Sequence, residues 1–388
     1  MKEPKIRFKG FEGEWETSII GDIATFSKGR GYSKSDLRSE GNPIVLYGRL
    51  YTNYASVIES VDTFASLQNG SVLTKGNEVI IPGSGETAED IAIASAVEQK
   101  GVILGGDLNV LSFDKDKIVP AFAAMSITNS KTHYELSGYA QGKTVVHLHN
   151  SSISKGHISY PYIEEQRAIA SYFQHLDSLI QSTTKKIDSL KQVKAASLQS
   201  MFPQEGETTP RVRFKGFEGE WEETTIGKVT SVKRGVRVTR KNLRDHGLYP
   251  VYQNTDYPMG YYNRYNVESN NPFVIIGGSA GLIGFCDKDF WAADDCAYFS
   301  DSVKLDKSYL YSMLLNKSSE IKKNVRGSSV PRLDRQVIND LNIILPSITE
   351  QRAIASYFTN LDRQITLQTQ RLEKLKQIKS ACLDKMFV

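Results

Sequence analysis

No stretch of the 388 residues approaches the ~18 consecutive apolar positions that a membrane-crossing helix needs. The opening residues, MKEPKIRFKG, carry no apolar core, so no secretory leader is expected. Cysteine is scarce: Cys286, Cys296 and Cys382 are the three, and none stands in a CxxC pair. An odd number cannot close a disulfide framework, and a reducing, cytoplasmic setting is the economical expectation. A strong excess of one charge is lacking too. A net charge of +4 is too mild to announce a polyanionic partner, so the distribution of charge has to decide. What remains is an ordinary globular composition, 40% hydrophobic and 24% charged, on a chain long enough for two or three domains.

The sequence repeats itself. RFKGFEGEWE occupies 7–16 and again 213–222, and GEWETSIIGDI at 13–23 parallels GEWEETTIGKV at 219–229, an offset of 206. A second identity, EQRAIASYF, stands at 165–173 and 350–358 with an offset of 185, which also relates Gly142 to Gly327, Leu148 to Leu333 and Pro161 to Pro346. The middle of the first copy is therefore 21 residues longer. Such a period is far too long for a solenoid and indicates a duplicated domain with like ends and unlike middles. The apolar, β-branched runs NEVIIPGSG (77–85) and PFVIIGGSAG (272–281) end in glycine turns and predict strands in both middles.

Each copy closes on a helical pattern. Phe173, Leu176, Ile180, Thr183, Ile187, Leu190 and Met201 fall on 3–4 spacing, as do Phe358, Leu361, Ile365, Leu372, Leu375, Cys382 and Met386. Charged residues between them point to a coiled-coil seam, and 165–202 would span about 57 Å. Ser347 and Glu350 have capping-box spacing ahead of the second helix, whereas the first copy has Tyr162 in place of the serine. Pro203 ends the first helix, and QEGETTP (204–210) reads as a linker. The expected fold class is α+β: a tandem duplication of a mixed α/β domain plus a long helix. The two helices are expected to pair as an antiparallel coiled coil with pseudo-twofold symmetry. The expected boundaries are 1–160, 161–203, 204–210, 211–345 and 346–388.

Several catalytic signatures fail on inspection. Gly138 and Gly142-Lys143-Thr144 imitate a P-loop, but only three residues separate the glycines, TVVHLH alternates like a strand, and the second copy lacks the lysine. GSGETA (83–88) imitates a dinucleotide fingerprint that the other copy's GGSAGLIG does not share. His147, His149 and His157 suggest a metal set, yet Arg332, Asp334 and Asn342 replace them in the second copy. Asn271-Pro272-Phe273 lacks one proline of the Asn-Pro-Pro-aromatic motif of amino-methyltransferases. No catalytic residues, metal ligands or bound cofactor are therefore expected on this chain.

The positive signal is clustered charge. VKRGVRVTRKNLR (232–244) supplies Arg234, Arg237, Arg240 and Lys241, and SKGRGYSKSDLR (27–38) supplies Lys28, Arg30 and Lys34 at the matching place. Arg326 and Arg332 form a further basic group. Arginine beside glycine turns suits phosphates and guanine edges, and equivalent clusters in both copies argue against an idle solvated face. YPVYQNTDYPMGYYNRY (249–265) offers amide and tyrosine side chains to base edges, although a tyrosine-rich surface equally suits a protein partner. An antiparallel helix pair would send one variable domain to each end, which predicts an asymmetric, bipartite double-stranded DNA target with an unread spacer.

This organisation resembles the specificity (S) subunits of type I restriction–modification systems across the whole chain. The resemblance rests on the repeated FKGFEGEWE…IG openings, the GKTVVHL and GSSVPRL segments, and the EQRAIASYF entries. It implies that 1–160 and 211–345 are target recognition domains, each reading half of a split site. It also implies that 161–203 and 346–388 are spacer helices that bind two methyltransferase (M) subunits. Those use S-adenosylmethionine to methylate adenine, and restriction (R) subunits would add ATP- and Mg-dependent translocation and cleavage. Carried onto this chain, Lys143, Thr144 and His147, and Ser328, Ser329 and Arg332 with Arg326, become DNA-facing. Ile169, Phe173, Ile354 and Phe358 are expected to pack between helices. Gln166, Arg167, Gln351 and Arg352, expected to be exposed, are the candidates for contact with M. A free-standing regulator that binds a bipartite DNA site without M or R partners is the alternative reading.

Overall fold

Val79, Ile80 and Ile81 have no solvent exposure, which is why the run predicted from 77–85 becomes a central strand, Glu78–Pro82. The computed structural model describes residues 3–204 and 206–388; Glu205, in the expected linker, lies outside the described residues. The chain forms two compact units, Met1–Thr183 together with Arg371–Val388, and Thr184–Gln370.

In the first unit a five-stranded sheet runs in the order Ala24–Lys28, Leu108–Phe113, Glu78–Pro82, Ser95–Val97, Val57–Ile58. Its pairings are antiparallel except the last, which is parallel. Helix Pro120–Asn129 covers one face, with Pro120 at its first turn where a missing N–H costs nothing. In the second unit a four-stranded antiparallel sheet is ordered Val232–Arg234, Cys296–Phe299, Asn271–Ile275, Ile283–Cys286. Helix Lys307–Asn316 packs near it, capped by Asp306, whose carboxylate accepts from the N–H groups of Ser308 and Tyr309.

The repeated opening closes each unit. Strand Glu16–Ile19 pairs with His157–Tyr160 in the first, and Glu222–Thr225 with Asn342–Leu345 in the second, both antiparallel. Trp15 packs edge-on against Phe122, and Trp221 against Phe202 and Tyr309. Phe8 meets Tyr172 as Phe214 meets Tyr357.

The long helices run Ile163–Ser200 and Ile348–Met386. Within the first unit Tyr172 lies against Cys382 and Asp177 against Lys379; within the second, Lys194 meets Asp362 and Ser197 meets Tyr357. As one number rises the other falls, so the segments pair antiparallel in each unit. Phe173 and Leu176 are buried in the first unit's core, and Phe358 and Leu361 in the second's. Met386 and Phe387, at the end of the second repeat, fill the first unit's core beside Phe122 and Phe173, while Met201 and Phe202 fill the second's. At the start of the second helix, Ser347 Oγ accepts from the Glu350 N–H at 3.3 Å, but the Glu350 carboxylate turns to Arg213 rather than back to the cap. Half of the expected capping box forms.

Candidate nucleic-acid interface

The GKTVVHL and GSSVPRL segments build the same hairpin. Gln141 and His147 exchange backbone hydrogen bonds of 3.0 and 2.7 Å; Arg326 and Arg332 exchange bonds of 2.9 and 2.8 Å. Each hairpin then docks on the turn that follows the central strand. His147 pairs with Ser84 and Arg332 with Gly277, while the Leu148 and Leu333 N–H groups donate to Gly83 and Ile276. Gly142 and Gly327 have positive φ values of 132° and 92°, a conformation that disfavours side chains. The P-loop reading fails structurally as well: Val146–His147 is a short strand where a P-loop would open a helix.

Lys28 and Arg234 end equivalent edge strands, opposite Asn109 and Ala297. The next residue is glycine in both. Its N–H donates to Leu108 in one unit and Cys296 in the other, and a Cβ there would collide with the carbonyl oxygen of Gly105 or Ala293. Lys34 and Arg240 then open matching 3₁₀ turns, Lys34–Asp36 and Arg240–Asn242. Two stretches that diverge in sequence thus display cations at the same places in the fold.

All fourteen candidate DNA-facing residues are exposed: Lys28, Arg30, Lys34, Lys143, Thr144, His147, Arg234, Arg237, Arg240, Lys241, Arg326, Ser328, Ser329 and Arg332. The second unit brings its two basic groups together at one turn. Arg234 Nε donates to the Asp294 carbonyl at 2.6 Å, and Arg332 Nη1 lies 3.4 Å from Asp295 Oδ1. These two arginines therefore hold part of their own scaffold while their remaining N–H groups face solvent. In the first unit His147 Nδ1 lies 3.0 Å from Ser84 Oγ, and its ring stacks on His149 with centroids 6.2 Å apart. Asn150 donates to the Ser27 carbonyl and ties this segment to the basic strand. Among the described residues no group of three or more His, Cys, Asp or Glu is placed to hold a metal ion.

Three readings need correction or sharpening. Gln166 and Gln351, expected to be exposed, are buried. The Gln166 amide accepts from the Val119 N–H and donates to Lys117 and Pro161; Gln351 repeats this with Asp306, Lys304 and Pro346. They tie each helix to its unit by bonding a loop N–H and loop carbonyls. Arg167 and Arg352 are exposed as expected. Asn271 of the incomplete methyltransferase motif is also buried, bridging strands through its bond to the Phe299 carbonyl at 2.9 Å. Sequence reading passed over Arg7 and Arg213, whose side chains secure the openings, and the Asp294–Asp295 turn that joins the basic groups.

Two units of like scaffold, each presenting a basic strand end and an exposed glycine hairpin, define a duplicated protein with one cationic surface in each half. The model of the type I restriction modification DNA specificity domain matches residues 12–192 and 218–377, and the chain belongs to that family. It is similar to the type I restriction enzyme MjaVIII specificity subunit of Methanocaldococcus jannaschii, 21% identical over 96% of this chain and 91% of the relative. The MjaIX specificity subunit of the same organism is 22% identical over 70% of this chain and 69% of its own length. The fold matches a crystal structure of the type I restriction–modification S subunit of M. genitalium with a TM-score of 0.72 and 16% identity, covering 100% of this chain and 99% of that one.

Proposed function

We propose that this chain is the DNA-specificity subunit of a type I restriction–modification complex and that each unit reads one half of an asymmetric, bipartite site. The observation that carries this is the pairing, in both units, of an exposed glycine hairpin with a cationic strand end on the same scaffold. The residues around that scaffold differ, as unequal half-sites require. Phosphate contacts from Lys28, Arg234 and their neighbours would fix position, and side chains of the divergent middles would read bases. Catalysis belongs to partners in this reading. Two M subunits would bind S-adenosylmethionine and methylate adenine, and R subunits would use ATP and Mg. The present chain binds no cofactor itself, acts in the cytoplasm, and offers Arg167 and Arg352 to M. The test is methylome sequencing of the strain with and without the gene. Loss of N6-methyladenine at one split motif is expected; an unchanged methylome in cells with active M subunits overturns the reading.

A further inference from the structure

In the second unit a recess of about 480 Å³ opens beside the basic strand. One wall is Arg237, Thr239 and Arg240; the other is Gln253, Asn254 and Thr255. Among the described residues no acidic side chain lines it. The second wall is held from behind. The Tyr252 carbonyl accepts from the Ala293 N–H at 2.8 Å, and the Asn254 carbonyl accepts from Ser279 at 3.3 Å. A Cβ at Gly278 would come within 2.9 Å of the Asn254 Cβ, so only glycine permits this approach. Thr255 Oγ1 donates to the Tyr257 carbonyl at 2.8 Å and folds the loop. The amides of Gln253 and Asn254 and the guanidinium groups of Arg237 and Arg240, by contrast, have no hydrogen-bond partner among the described residues. The backbone is fixed and the polar ends are free.

We propose that this recess is the base-reading subsite of the second unit, with Asn254 and Gln253 reading an adenine edge in the major groove and Arg237 and Arg240 holding the flanking phosphates. A carboxamide sets a donor beside an acceptor, the complement of adenine N6 and N7. Guanidinium groups clasp phosphate oxygens with paired N–H donors. The first copy has Gly31 and Lys34 where the second has Arg237 and Arg240, so this subsite belongs to one half-site only. The inference rests on the specificity-subunit reading above.

The experiment sequences the methylome of cells carrying the complex with wild-type chain, Gln253→Ala, Asn254→Ala or Asn254→Ser. Purified complexes are also titrated with duplexes changed at one base pair. Removal of a reader is expected to lower discrimination about 10- to 100-fold at one position of one half-site, with the other half-site read as before. The Arg237→Ala/Arg240→Ala double variant is expected to bind all duplexes more weakly, with a shallower dependence on salt. Thermal melting identifies any variant that has not folded, and serine provides a second, turn-compatible replacement at Asn254. An unchanged motif in every folded variant overturns the proposal. So does a folded variant that loses all methylation without relaxing any position. Absence of a split motif for the wild-type chain would instead remove the specificity-subunit reading itself.

Discussion

Arg7 donates hydrogen bonds of 2.8 and 2.7 Å to the two carboxylate oxygens of Glu165, and the same guanidinium reaches the carbonyls of Glu12 and Gly13. Arg213 repeats every one of these contacts with Glu350, Glu218 and Gly219. The opening decapeptide is thereby clamped to the first turn of the long helix in its own unit. Both carboxylates are about 1% exposed, so each negative charge depends on its arginine. The hydrogen bond to Glu165 in turn raises the Arg7 pKa above its usual value.

Breaking that pair leaves a buried charge unmatched. Arg213→Ala is expected to destabilise the second unit by about 3–5 kcal/mol, read from urea unfolding. Replacing Arg213 and Glu350 together by apolar residues is expected to cost less, because no lone charge remains.

Gln351 and its neighbour Arg352 separate structure from recognition. Gln351→Ala strands the Asp306 N–H and the Lys304 and Pro346 carbonyls, an expected loss of about 1–3 kcal/mol for each group that stays dry. Arg352→Ala should leave stability within about 0.5 kcal/mol yet weaken co-purification with M. Equal effects on melting for both variants would contradict this division.

Gly235 sits where the backbone touches backbone. A methyl group there would collide with the carbonyl oxygens of Ala292 and Ala293, neither of which belongs to a movable side chain. Gly235→Ala is expected to cost about 1–3 kcal/mol and to shift Arg234, so DNA affinity should fall as well. Thermal melting and duplex titration measure the two effects separately.

Glu135 links the first unit to acidity. Partial burial opposes its charge, but the His157 ring and backbone N–H, with Tyr139, donate to the carboxylate and hold its pKa below the ordinary glutamate value. A carboxylate with a depressed folded-state pKa contributes stability above its unfolded pKa and loses it as pH falls through the folded value. Glu135→Gln should therefore lower the melting temperature at neutral pH and flatten its fall below about pH 4.5. A parallel pH profile in the variant would refute the contribution.

The duplication, the long helices and the two central strands were legible because they depend on identity and on apolar periodicity, which a chain displays openly. Gln166 was not. Its place between exposed Arg167 and helical neighbours gives no sign that a loop from residue 117 to 119 will close over it. Arg7 gave no sign of its role, since its partner lies 158 positions away. The candidate interface was legible as charge but not as shape. The equivalence of the hairpins at His147 and Arg332 could be aligned, whereas the meeting of Arg234 and Arg332 on the Asp294–Asp295 turn arises only when the sheet forms.

In each unit the paired helix segments carry a matching ion pair that favours their antiparallel alignment. Asp177 meets Lys379 in the first unit, and its repeat-mate Asp362 meets Lys194, the repeat-mate of Lys379, in the second. The groups are partly exposed, so each pair is expected to contribute no more than about 1 kcal/mol, but a like-charge pair there opposes the same alignment by a similar amount. Lys379→Glu alone should lower the melting temperature, and Asp177→Lys added to it should restore most of the loss, since the reversed pair keeps attraction at the same place. Asp362→Lys added instead should not rescue, because Asp362 faces Lys194 within the second unit. A double-mutant cycle by thermal melting distinguishes these outcomes, and equal rescue by both second changes would show that the charges act only through the net field of the helices.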